Sequence, residues 1–163
     1  QLAELSSVGI HMKKKFTFFN PGKLIADDLE LILTKKSPAD PVKGYVPEYE
    51  FEMRQIGKPT AIGSIRLRIG SAPKLRYPGH IGFEVNENYR GHRYAAQSCQ
   101  LIFSLARAHG LSAVWLTVDP KNIPSRRTCE MVGGKYIETV RVSKAHEMYD
   151  QGKRFLRRYR ISL

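Results

Sequence analysis

A chain of 163 residues with 42% hydrophobic and 26% charged residues has enough apolar material for one folded domain, and two cysteines are too few for a disulfide scaffold. The formal net charge of +12 calls for an anionic ligand or partner, a demand that nucleic acid, an acidic substrate or a phosphorylated cofactor would each meet. No apolar run approaches the roughly 20 residues of a membrane helix, so no membrane partner is expected.

His11-Met12 resembles a cloning junction, so residues 1–11 read as vector-derived or disordered and residues 12–163 as a single domain. Lys13-Lys14-Lys15 before Phe16 imitates a signal peptide, but Asn20-Pro21-Gly22-Lys23 interrupts it, and a reduced cytoplasmic protein is expected. The first strand is predicted at Leu29–Thr34, followed by a Pro- and Lys-rich loop over Lys35–Pro47. Glu48–Gln55 alternates Tyr49, Phe51 and Met53 with charged residues. Ala61–Ile69 alternates in the same way after the Gly57-Lys58-Pro59 turn, which predicts a half-buried hairpin.

A loop over Ser71–Gly79 leads to a strand ending at Val85. Helical spacing runs from Tyr94 to His109, and Gly110 stands where a C′ glycine stops a helix. Ala113–Val118 is continuously apolar and suits a strand buried on both faces. A short helix is expected over Ser125–Val132, then closing strands at Tyr136–Val142 and Phe155–Leu163, paired antiparallel. The order gives a mixed α/β fold.

The segment from Gly79 to Ala96 carries the chemistry. A strand, a glycine-containing turn and a helix N-terminus present unpaired N–H groups and a positive dipole end, which suits a diphosphate. The N–H groups from Arg90 to Ala95 would form the cradle, with Gly91 allowing close approach and Arg90, His92 and Arg93 adding charge. On the strand before the turn, Glu84 is the obvious carboxylate for taking a proton, directly or through water, with His80 as an alternative. No spacing suggests a metal site, and no P-loop pattern occurs.

Arg90-Gly91-His92-Arg93-Tyr94-Ala95 resembles the acyl-CoA-binding signature of the GNAT acyltransferases, (Q/R)-x-x-G-x-(G/A). Arg93 stands where the signature has its central glycine; its N–H is retained, and only an unusual φ would bar a side chain there. Asn122-Ile123-Pro124-Ser125 through Gly133-Gly134 resembles the family's later N-x-x-(A/S) block. The resemblance implies a single GNAT-like domain with a mostly antiparallel twisted sheet and helices on both faces. It also implies an N-acetyltransferase moving acetyl from acetyl-CoA to a small-molecule or peptide amine, by direct attack in a ternary complex.

Within that resemblance, the backbone of Phe83, Glu84 and Val85 would face Leu116–Val118 across a gap holding pantetheine. Asn122 and Ser125 would approach the coenzyme arm, their structural alternatives being a loop residue and a helix N-cap. Tyr94 and Ala95 close the phosphate turn, and Arg126 would reach the nucleotide phosphates. Many relatives carry a tyrosine acid seven residues after the motif asparagine, a place held here by Cys129; Tyr136 and Tyr94 are the other candidate acids. The family usually places two helices between its first two strands, whereas Lys35–Pro47 offers 13 residues with three prolines. The rival reading is a basic RNA- or ribosome-binding module, motivated by the charge and by Lys153, Arg154, Arg157, Arg158 and Arg160. An acyl group longer than acetyl and a homodimer remain open.

Overall fold

The computed structural model describes residues 15–163, so the reading of residues 1–11 lies outside the described residues. Period-two alternation builds the first sheet. Tyr49, Phe51 and Met53 on β3 (Glu48–Gln55) and Ile65 and Leu67 on β4 (Ala61–Arg68) are fully buried on one face. On the other face Glu48 sits opposite Arg68 and Glu50 opposite Arg66, with ion pairs at 3.1 and 3.4 Å. Five antiparallel strands follow one another: β1 (Leu24–Ala26), β2 (Leu29–Ser37), β3, β4 and β5 (Ile81–Val85).

Two details differ from the sequence expectation. A three-residue strand, β1, precedes the first predicted one through a tight turn at Asp27 (φ 51°), too short to show a period. β2 also continues past Thr34 to Ser37, with a register shift between Leu33 and Lys35. Lys35 and Lys36 are exposed and pair only through the backbone, so no apolar pattern announces them. No helix separates β2 from β3, as the short, proline-rich connection requires.

Helix α1 (Tyr94–Ala108) buries Cys99, Ile102 and Ala106 against the core. β6 (Ala113–Val118), β7 (Lys135–Arg141) and β8 (Phe155–Ser162) form a second antiparallel sheet in the order β6-β8-β7. α2 (Ile123–Met131) lies between β6 and β7, and a single turn, α3 (Glu147–Asp150), interrupts the β7–β8 connection. The mixed, mostly antiparallel class is as expected, but the sheet is split in two because no ladder joins β5 to β6.

Three of the basic residues near the C-terminus lie over aromatic rings. Arg157 stacks over Tyr136 at 3.9 Å and Arg154 over Tyr149 at 3.6 Å. Arg158 lies over Trp115 at 4.2 Å while pairing with Glu138 at 3.0 Å. Among the described residues no helix is long and apolar enough to cross a membrane.

Burial disfavours the charged form of two histidines. Tyr49 Oη accepts the Phe19 N–H at 2.7 Å and is hydrogen-bonded to His109 Nε2 at 2.6 Å, and Phe16 and Phe19 stack on that ring. His80 Nδ1 accepts the Trp115 N–H at 3.0 Å, so its Nε2–H donates to the Gly70 carbonyl at 2.9 Å. Burial pushes both pKa values below the ordinary 6.5, and Arg68 lowers that of His80 further. Protonation therefore favours the unfolded chain. Stability is expected to be full above about pH 6.5 and to fall as pH drops through the depressed pKa values. Urea titrations between about pH 8 and 5 check this, and a stability that rises on acidification across that window contradicts it.

Candidate active site

Hydrogen bonds from Arg68 N–H to His80 O and from Asn86 N–H to Ile62 O fix the parity of the β4–β5 ladder. In an antiparallel ladder, bonded and non-bonded pairs alternate. Gly82 and Glu84 therefore direct their main-chain groups to β4, whereas Ile81, Phe83 and Val85 direct theirs away from it, toward β6. At the base of the gap the His80 N–H donates to Trp115 O at 2.7 Å, and the His80 ring takes the Trp115 N–H. Beyond this clamp the strands separate. Phe83 and Thr117 face the slit with unladdered main-chain groups, while the Val85 carbonyl accepts Arg90 Nε at 3.0 Å.

A 3₁₀ turn at Glu87–Tyr89 carries the chain from β5 toward α1. The Arg90 N–H closes it on Glu87 O at 3.3 Å, which removes that group from the expected cradle. Among the described residues, the N–H groups of residues 91–96 have no protein acceptor. Six donors at the start of a 15-residue helix make a ready anion site. Gly91 has φ +87°, and Arg93, which precedes the helix, has φ +63° and ψ +20°. Arg93 thus occupies the left-handed region at the signature's glycine position, at a cost of roughly 1–2 kcal/mol. Arg93→Gly is expected to raise stability by about 0.5–1 kcal/mol, the gain being offset in part by glycine's unfolded-state entropy. A lower urea midpoint for this variant would contradict the strain argument.

A cavity of about 770 Å³ opens over this turn. Phe83, Glu84, Val85, Gly91, Arg93 and Ala95 form one side, and Pro124, Arg127, Thr128 and Met131 of α2 the other. A second cavity, of about 830 Å³, opens beside the outer sheet face near Glu48, Arg66 and Arg68. The loop at Lys43–Val46 and the α3 region with His146, Glu147 and Met148 also line it. Tyr45 Oη donates to Glu147 Oε2 at 2.8 Å, and that carboxylate pushes the phenol pKa up. The cavities meet at Phe83, Asn122, Ser125 and Lys153, which line both.

The turn with its unpaired N–H groups thus lies beside a slit between diverging strands and two adjoining cavities. A family model described as "Acetyltransferase (GNAT) domain" matches residues 12–135. The chain belongs to the GNAT acetyltransferase family.

None of the curated proteins matches the chain in sequence. Among solved structures, a GNAT-family acetyltransferase from Bacillus anthracis aligns with TM-score 0.55 and 21% identity, over 69% of this chain and 65% of its own. The acetyltransferase from Agrobacterium tumefaciens str. C58 aligns at 0.60 and 16%, over 93% and 100%. The microcin C7 self-immunity acetyltransferase MccE, solved with acetyl-CoA and AMP, aligns at 0.56 and 12%, over 71% and 61%. The chain thus spans under two thirds of the Bacillus anthracis and MccE structures, and at these identities the likeness is one of fold.

Several expected residues hold structural places in this GNAT domain, some of them in addition to lining a cavity. Asn122 Oδ1 accepts the Ser125 N–H at 3.2 Å, so Asn122 is the cap of α2 and Ser125 lies inside the helix. Arg126 donates to Pro120 O at 3.1 Å and lines neither cavity; its neighbour Arg127 lines the first. His92 is exposed and does not line the first cavity through its side chain.

Glu84 is exposed, lines the first cavity and is absent from the lining of the second. Cys129 is fully buried, lines neither cavity, and has its thiol pushed up to about 12 by burial, which makes it a packing residue. Tyr136 stands on β7 with its hydroxyl against Thr139 at 2.9 Å, outside both cavities. Tyr94 Oη donates to Asp28 Oδ2 at 2.8 Å, which holds it away from the junction. His80 clamps the fork rather than facing substrate.

Sequence reasoning did not place Tyr45, Glu147 or Lys153 at this site, Lys153 entering it only as part of the basic cluster; all three line the second cavity. They come from two loops far apart in the chain, and no local pattern joins them. Among the described residues, no group of three His, Cys, Asp or Glu side chains is placed to hold a metal.

Proposed function

We propose that this GNAT protein is an N-acetyltransferase that moves acetyl from acetyl-CoA to a primary amine by direct attack in a ternary complex. The observation that carries this reading is the meeting of two cavities at Phe83, Asn122, Ser125 and Lys153. The diphosphate would rest on the N–H groups of residues 91–96 and pantetheine would lie along Phe83 and Thr117, which brings the thioester to the junction. The likeness to MccE, solved with acetyl-CoA, supports the choice of acyl donor.

The amine nitrogen, entering from the second cavity, attacks the thioester carbonyl carbon. The C–S bond breaks, coenzyme A leaves as thiolate, and the amine proton passes to a base. Glu84, the exposed carboxylate beside Phe83, takes that proton through water. Lys153 has the only charged side chain among the four junction residues, and it supplies a counter-charge to the developing thiolate. Both cysteines are buried, line neither cavity and have raised thiol pKa values, which favours direct attack over a cysteine-bound acetyl intermediate.

Calorimetry with acetyl-CoA, followed by thiol-release assays across an amine panel, tests the reading. Folded protein that binds no acetyl-CoA at millimolar concentration would refute it. Glu84→Gln is expected to lower turnover more than cofactor affinity; an unchanged rate removes Glu84 from the proton path.

A further inference from the structure

The second cavity has an uneven charge lining. Lys43, Arg66, Arg68, Lys74 and Lys153 face it, against the carboxylates Glu48, Asp119 and Glu147. Glu48 is already held by Arg68 at 3.1 Å and Arg66 at 3.8 Å, and Glu147 accepts the Tyr45 hydroxyl. Among the described residues, Lys43 and Lys74 make no ion pair. They lie on separate loops, exposed, and line only the acceptor side. Asp119, whose Oδ1 accepts the Lys121 N–H at 2.9 Å and whose other oxygen has no protein donor among the described residues, lies on the turn that leads into the junction residues Asn122 and Ser125.

We propose that the acceptor is an amine that also carries an acidic group, held by Lys43 and Lys74 with its amino end directed toward Asp119 and the junction. The proposal rests on the acetyl-transfer reading and narrows its acceptor. A concave site lined by one excess sign concentrates ligands of the opposite sign. The same two ammonium groups repel a simple cationic amine, so selection works by exclusion as well as attraction. Acetylation removes the acceptor's positive charge and leaves a more anionic product.

The test titrates the free protein with 2-aminoethyl phosphate, β-alanine and taurine, each against ethanolamine, by calorimetry at low salt. At least one acidic amine is expected to bind about tenfold tighter than ethanolamine, the preference weakening as salt is added. The three acidic arms distinguish phosphate, carboxylate and sulfonate. The Lys43→Ala/Lys74→Ala double variant should lose the preference while keeping its acetyl-CoA affinity, and the corresponding arginine variant should retain it. Equal binding of ethanolamine to wild type, or a preference intact in the alanine variant, overturns the proposal. The titration needs no acyl-CoA, so a failure of cofactor binding refutes the acetyl-transfer reading as a separate result.

Discussion

Gly79→Ala is expected to lower unfolding stability by about 2–4 kcal/mol and to weaken acetyl-CoA binding with it. Gly79 has φ +70°, a conformation that costs an L-residue roughly 1–2 kcal/mol. A Cβ there would also stand 2.7 Å from the Trp115 carbonyl oxygen and 3.3 Å from Leu116 Cα, both backbone atoms that cannot swing aside. Relief requires β6 to move off, which breaks the His80 N–H bond to Trp115 O, worth about 1 kcal/mol. Urea denaturation should show a lower midpoint with an unchanged slope. A variant as stable as wild type would mean that the fork tolerates widening at its base.

Lys153→Met is expected to reduce kcat by about 100-fold while changing acetyl-CoA affinity only a few-fold. Its backbone N–H is anchored to Met148 O at 3.0 Å, and its side chain lines both cavities. Among the described residues its ammonium makes no ion pair. Methionine keeps most of the stem's bulk and removes the charge, so lost packing does not confuse the result. Lys153→Arg should recover part of the rate. A kcat within a few-fold of wild type in the methionine variant would leave the leaving thiolate without this partner.

The turn and the strand before it were legible because they depend on local order. Ile81–Val85, the Arg90–Ala95 turn and the helix after it are contiguous, so period, glycine and dipole arguments all apply within one short segment. The same segment hid two facts that only backbone geometry supplies: the Arg90 N–H is taken by Glu87, and Arg93 occupies a left-handed conformation. The second cavity was not legible. Lys43, Tyr45, Lys74, Glu147 and Lys153 come from three connecting segments whose sequences carry no period, and only the folded chain gathers them. Counting seven residues from Asn122 pointed to Cys129 as an acid. The helix instead turns that thiol into the core, where a small apolar group packs well.

The Tyr45–Glu147 hydrogen bond spans 102 positions of chain and joins two loops that carry none of the sequence blocks. One wall of the second cavity is therefore tied together by residues outside both sequence blocks. Under the acetyl-transfer proposal, exchanges in the loop around Tyr45 would reshape the acceptor's cavity without touching the turn at residues 91–96, whereas the connection around Glu147 also carries Lys153, which lines both cavities.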